Sequence, residues 1–153
     1  MVEAKKYLGQ HFLKNEEVCK AIAHGMKDYK IHDKLVEVGP GTGAITKYIM
    51  ELDDNMSVIE VDGDSITFLR NEYPELNIID YNFIKLDLAK VNDGAPFGLF
   101  GNFPYFLSSQ ILTKIFENKD LITECVGMFQ KEVSEKVIAT PGNKNYGIIA
   151  VLL

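Results

Sequence analysis

The sequence predicts an α/β protein with a doubly wound, mostly parallel sheet. Short apolar runs of strand length alternate with amphipathic stretches of helix length from residue 15 onward, and the connections between them are short. The first strong strand runs straight into a glycine-rich turn and then a helix, the arrangement that opens a parallel βαβ unit. Such a chain buries its helices on both faces of one sheet, and its ligand crevice falls at the carboxyl ends of the strands.

Taken in order, residues 1–14 form an N-terminal arm: a basic tip with Lys5 and Lys6, then an ordered loop at 7–13 in which glycine mixes with large apolar residues without a period. Asn15 is placed to cap a helix with Glu16 and Glu17 in its first turn, and Val18, Ile22 and Met26 recur on one face. Gly25 and a linker at 28–33 end it. A buried strand is expected at 34–38, the turn Gly39-Pro40-Gly41-Thr42-Gly43 next, and a helix at 44–52 with Ile45, Ile49 and Leu52 on one side. Further strands are expected at 56–61, 76–80, 97–101 and 125–129, and helices at 65–72, 108–116 and 131–139. Lys131 and Glu132 belong to the start of the last helix.

The totals bound the chemistry. A length of 153 residues suits one domain, able to bury roughly 70% of its unfolded surface. No apolar run approaches the roughly 20 residues that span a bilayer, and the first residues lack a signal-peptide core, so a soluble, cytoplasmic protein without a membrane partner is expected. Cys19, Cys125, His11, His24 and His32 form no metal-ligand spacing and no disulfide framework; no metal is expected. The net charge of −6 argues against a simple polyanion binder, yet the acidity is local. Residues 1–30 carry +2, residues 31–93 carry −8 and residues 94–153 are neutral. A nucleic-acid substrate is compatible with that distribution, with Lys5, Lys6 and Lys14 either touching phosphates or simply solvated.

Two stretches carry chemistry. Glycines at 39, 41 and 43 allow a tight turn and close approach of a ligand, and Glu60, about 20 positions after the first, is placed to hold a ribose diol. With Ala44 the loop also fits the looser dinucleotide fingerprint, so a nicotinamide enzyme stays open on the loop itself, as does a turn with no ligand. The second stretch is Asn102-Phe103-Pro104-Tyr105. A side-chain amide, a proline and an aromatic plane within four residues make a socket for a flat, amino-bearing ring, although the same residues also make an ordinary turn.

Asn-x-Pro-Tyr resembles the catalytic motif of adenine N6-methyltransferases, and Glu37-Val38-Gly39-Pro40-Gly41-Thr42-Gly43 resembles the S-adenosylmethionine loop of class I methyltransferases. Together with Gln10-His11-Phe12-Leu13, Glu60-Val61-Asp62, residues 128–133 and residues 141–147, they resemble the ribosomal RNA adenine N6-dimethyltransferases of the KsgA type, in order and spacing along nearly all of the chain. The resemblance implies a Rossmann-like fold and one S-adenosylmethionine-binding catalytic domain over 1–153. The family's further strands and C-terminal helical domain are absent, so the sheet is expected to be incomplete at the C-terminal end.

It implies the activity as well: transfer of methyl groups from S-adenosylmethionine to two adjacent adenines of small-subunit (16S) ribosomal RNA, in ribosome biogenesis, with that RNA or the immature small subunit as partner. By the same resemblance Gln10, His11, Leu13, Glu37, Gly39, Gly41, Glu60, Val61, Asn82, Phe83 and Asn102 meet the cofactor. Asn102 and the Phe103 carbonyl take the amine hydrogens, Pro104 fixes the turn and Tyr105 stacks on the base. Asn82 and Phe83 have an equally ordinary reading, a strand-end turn and a core aromatic.

Two residues depart from the family pattern. Asn82 stands where it usually has aspartate, and Phe106 where a polar residue commonly follows the tyrosine. A DNA adenine N6-methyltransferase, a non-catalytic cofactor-binding fragment and, less favoured, a small-molecule methyltransferase are the alternatives. A monomer is favoured.

Overall fold

The computed structural model describes residues 12–27 and 29–145. Gln10 and His11, two of the expected cofactor contacts, lie outside the described residues, as do Lys5 and Lys6. Among these residues five strands pair in parallel throughout: β1 (Leu35–Val38), β2 (Ser57–Glu60), β3 (Asn77–Asp80), β4 (Phe97–Asn102) and β5 (Ile122–Met128). Their order is β3-β2-β1-β4-β5. The chain winds outward from β1 to β3, then crosses back to the other side of β1. The order therefore reverses between β1 and β4, which is where an open α/β sheet forms its ligand crevice.

Among the described residues five α-helices join them: α1 (Glu16–Ala23), α2 (Thr46–Ile49), α3 (Gly63–Glu72), α4 (Ser108–Glu117) and α5 (Lys131–Val137). Each strand that is buried on both faces sends alternate side chains to two apolar clusters. On one face Leu35, Val58 and Phe100 meet Cys19, Ile22 and Ala23 of α1, Ile49 of α2 and Leu69 of α3. On the other, Val36, Val38, Ile59, Phe97 and Leu99 meet Phe83, Leu88 and Val91 of the β3–β4 connection and Ile111 and Ile115 of α4. The sheet is thus covered on both sides, as the alternation in the sequence requires.

Several elements start or end away from their expected places, each for a local reason. Asn15 does cap α1, its side-chain oxygen accepting from the N–H groups of Glu17 and Val18 at 3.0 and 3.2 Å. The helix expected at 44–52 is regular only over Thr46–Ile49. The glycine turn occupies the residues before it, with the Gly43 N–H on the Pro40 carbonyl, and afterwards Leu52 N–H bonds Ile49 three residues back, a tighter 3₁₀ ending. β5 begins three residues earlier than its apolar run suggests. Ile122 pairs with Phe97 and a bulge between Phe97 and Gly98 absorbs Thr123, which breaks the alternation that marks a strand in sequence.

Candidate active site

The crevice at the switch point has a volume of about 310 Å³, within the range of small-molecule sites. Its walls come from the carboxyl ends of four strands: Val38 to Thr42 after β1, Glu60 and Val61 at β2, Tyr81 to Ile84 after β3, and Asn102, Pro104, Phe106 and Leu107 after β4. Leu13, Glu37, Gly39, Gly41, Glu60, Val61, Asn82, Phe83, Asn102 and Pro104 of the expected site all border this one space. Phe103 and Tyr105 do not.

The glycine turn is built as a cradle. Gly41 has φ +56°, a left-handed conformation that strains any side chain, and a Cβ there would lie 2.8 Å from the ring of Phe12. Phe12, absent from the expected contacts, therefore packs directly on the turn and forms part of the crevice wall. Glu60, buried at the end of β2, ties the turn to the sheet: Oε2 accepts the Gly41 N–H at 3.2 Å, and Oε1 accepts those of Val61 and Asp62 at 2.8 and 3.0 Å. These bonds take three of about four acceptor positions on a carboxylate, and the remaining one suits a hydroxyl donor.

Glu37 sits behind the turn and is 1% exposed. Burial pushes its carboxyl up to about 8; the Thr46 hydroxyl, donating to Oε2 at 2.5 Å, pulls the other way, and the neighbouring Glu60 adds to the rise. Its side chain braces α2 against β1 within the crevice wall.

On the β3 side, Asn82 uses its Oδ1 to accept the Ile84 N–H at 2.9 Å, an Asx turn that fixes the amide at the crevice. Phe83 is 5% exposed and belongs to the core, presenting only part of its surface to the cavity. Both residues thus border the crevice while filling a plain structural role. Ile84, Ile59 and Ile111 extend the apolar lining beyond what the sequence singled out.

After β4 the local structure explains why Asn102 faces the crevice. Phe103 is 1% exposed, stacked on Phe129 with ring centroids 4.7 Å apart, and its N–H bonds the Met128 carbonyl at 3.2 Å. That ring fits only because Gly101 and Gly127 flank it; a Cβ on either would lie 2.5 or 2.4 Å from a ring carbon. With Phe103 buried, the preceding side chain turns to the crevice. Pro104 (φ −61°, ψ 135°) then directs the chain into a 3₁₀ turn over Tyr105–Leu107. The Ser108 hydroxyl donates to the Tyr105 carbonyl at 3.0 Å and approaches that of Pro104 at 3.4 Å, whereas among the described residues no donor reaches the Phe103 carbonyl. Tyr105 is 41% exposed, outside the crevice wall.

A doubly wound parallel sheet with a glycine turn after the first strand, an acid closing the second and an amide closing the fourth defines the class I methyltransferase fold. The model of the family described as ribosomal RNA adenine dimethylase matches residues 1–153, and the chain belongs to that family. It is 46% identical over its whole length to "Ribosomal RNA small subunit methyltransferase A" of Bacteroides thetaiotaomicron, of which it covers 58%. Among solved structures, a dimethyladenosine transferase from Plasmodium falciparum superposes with a TM-score of 0.78 at 27% identity, over 93% of this chain and 51% of that one. The 23S rRNA methyltransferase ErmE, at 21% identity and a TM-score of 0.69 over 82% of this chain and 50% of its own, shares the fold. The chain thus spans a little over half the length of the curated relatives it matches.

No helix of the described residues is long and apolar enough to cross a membrane, and among them no three His, Cys, Asp or Glu side chains group as metal ligands.

Proposed function

We propose that the crevice binds S-adenosylmethionine and that this chain is the catalytic part of an enzyme that dimethylates N6 of two adjacent adenines in small-subunit ribosomal RNA, acting as a cytoplasmic monomer on the RNA or the immature subunit. The observation that carries this reading is that Asn102 shares one small cavity with the glycine turn and Glu60. The residues fit the cofactor: Glu60 has acceptor capacity for a ribose hydroxyl, Asn82 offers an amide beside a purine, and Ile59, Val61, Phe83 and Ile84 supply apolar walls for its faces. Gln10, His11 and Leu13 would close the N-terminal side. When bound, S-adenosylmethionine supplies a methyl group activated on a sulfonium.

An aromatic amine is a weak nucleophile because its lone pair is spread into the ring. Asn102 Oδ1 and the Phe103 carbonyl accept its two hydrogens, which steers the nitrogen toward a tetrahedral shape with the lone pair aimed along the crevice. Pro104 holds the Phe103 carbonyl in place. Tyr105, half exposed on the rigid turn, takes the face of an unpaired or flipped-out adenine. A monomethylated amine keeps one hydrogen for either acceptor, so the same pair serves a second transfer.

Transfer of tritiated methyl to immature small ribosomal subunits, compared with duplex DNA, tests the reading. Labelling of the subunits supports it; labelling of DNA instead would make the chain a DNA adenine methyltransferase. Cofactor binding without transfer to either would leave it a binding module, an outcome to which the net charge of −6 lends weight.

A further inference from the structure

We infer that Phe106 is a second base platform, which stacks the unpaired nucleotide adjoining the target adenine and so selects an RNA carrying two exposed bases side by side; this rests on the RNA reading above. Large apolar side chains at the surface are ordinary when scattered, but here they cluster. Of the six exposed large apolar residues among those described, Val61, Tyr81, Tyr105 and Phe106 follow the carboxyl ends of β2, β3 and β4, and three of these four are aromatic. Phe106 is 60% exposed yet borders the crevice, so it stands at the cavity's rim with surface left open to a ligand outside it.

The 3₁₀ turn sets the directions. With about three residues per turn, successive side chains point about 120° apart. Leu107 packs against the inner apolar cluster, which sends Tyr105 and Phe106 outward along two different lines. One planar base cannot lie on both rings, so the ring that does not take the target takes its neighbour. The Ser108 hydroxyl on the Pro104 and Tyr105 carbonyls pins the turn, so little ordering is required on binding. Stacking also suits the charge of this region: residues 94–153 are neutral, so phosphate contacts contribute little there and π-faces supply the grip.

The test is a cycle of two proteins and two RNAs. Affinity of wild-type protein and of Phe106→Ala is measured by anisotropy on a labelled single-stranded RNA with two adjacent adenines, and on the same RNA with the second adenine made abasic. The wild type is expected to lose about ten-fold on the abasic RNA, the size of one base–aromatic stack, and Phe106→Ala to bind both RNAs alike. Phe106→Trp should restore the discrimination. Equal ten-fold losses in both proteins, no discrimination by the wild type, or no measurable RNA binding would overturn the platform. Methyl transfer to the remaining adenine of the abasic RNA reads the methyltransferase assignment separately, so the two can fail independently.

Discussion

The two ends of the parallel strands use the same kinds of side chain for opposite purposes. At the amino ends, Glu124 Oε1 accepts the Lys27 N–H at 2.7 Å and Oε2 lies 3.3 Å from His32 Nε2, while Thr123 Oγ1 is 3.0 Å from His32 Nδ1. Asp53 likewise accepts the N–H groups of Leu35 and Asn55. There the carboxylates lock α1, the linker and the sheet to one another. At the carboxyl ends, Glu60, Glu37, Asn82 and Asn102 surround a cavity, and Glu60 and Asn82 hold the backbone in place while facing open space. Acidic and amide groups are thus a fastening where packing closes over them and the lining of an open crevice where the strand order reverses and packing cannot close.

Breaking one end should leave the other intact, and the largest effect is expected at the amide. If Asn102 is one of two acceptors for the amine, Asn102→Ala should lower methyl transfer by about a hundred-fold or more while S-adenosylmethionine still binds, as single-turnover transfer to small-subunit RNA beside calorimetry would show. At the opposite edge, Glu124→Ala leaves the Lys27 N–H and His32 without their carboxylate and should cost about 1–3 kcal/mol in urea unfolding, with S-adenosylmethionine affinity in calorimetry unaltered.

Gly41→Ala forces a side chain into a left-handed conformation and against Phe12, and about 1–2 kcal/mol should be lost, this time together with cofactor affinity.

A dependence on pH sharpens the contrast in another way. Glu37 stays protonated in the folded protein up to about pH 8, whereas the unfolded chain releases that proton near 4.5. Between those values the native state binds the extra proton, so this contribution is full below about pH 4.5, is lost as pH rises toward 8 and is flat above. Glu37→Gln should remove a slope of at most about 1.4 kcal/mol per pH unit from the unfolding free energy measured across that window.

Much of this architecture was legible in the sequence because it depends on local rules. The strand–turn–helix at 34–52 is announced by an apolar run, closely spaced glycines and an amphipathic stretch, and the Asn15 cap by its position ahead of two glutamates. Departures arise where distant residues decide. The bulge that lengthens β5 depends on its pairing with Phe97, and the role of Phe12 depends on a glycine 29 positions later meeting its ring. Phe103 could be given a carbonyl role from its motif, but only the facing Gly101 and Gly127 reveal that its ring is the wedge that orients Asn102. Phe106 departs from the family pattern in sequence; its exposure at the crevice edge gives that departure a physical meaning.

A crystal structure of the protein with S-adenosylhomocysteine tests the central assignment most directly, through the position of the sulfur relative to Asn102 and Glu60. The account predicts a ribose hydroxyl on Glu60 and the sulfur facing the Asn102 amide across a gap the size of one methyl group. A ligand seated elsewhere, or an Asn102 amide turned away from the sulfur, would contradict it.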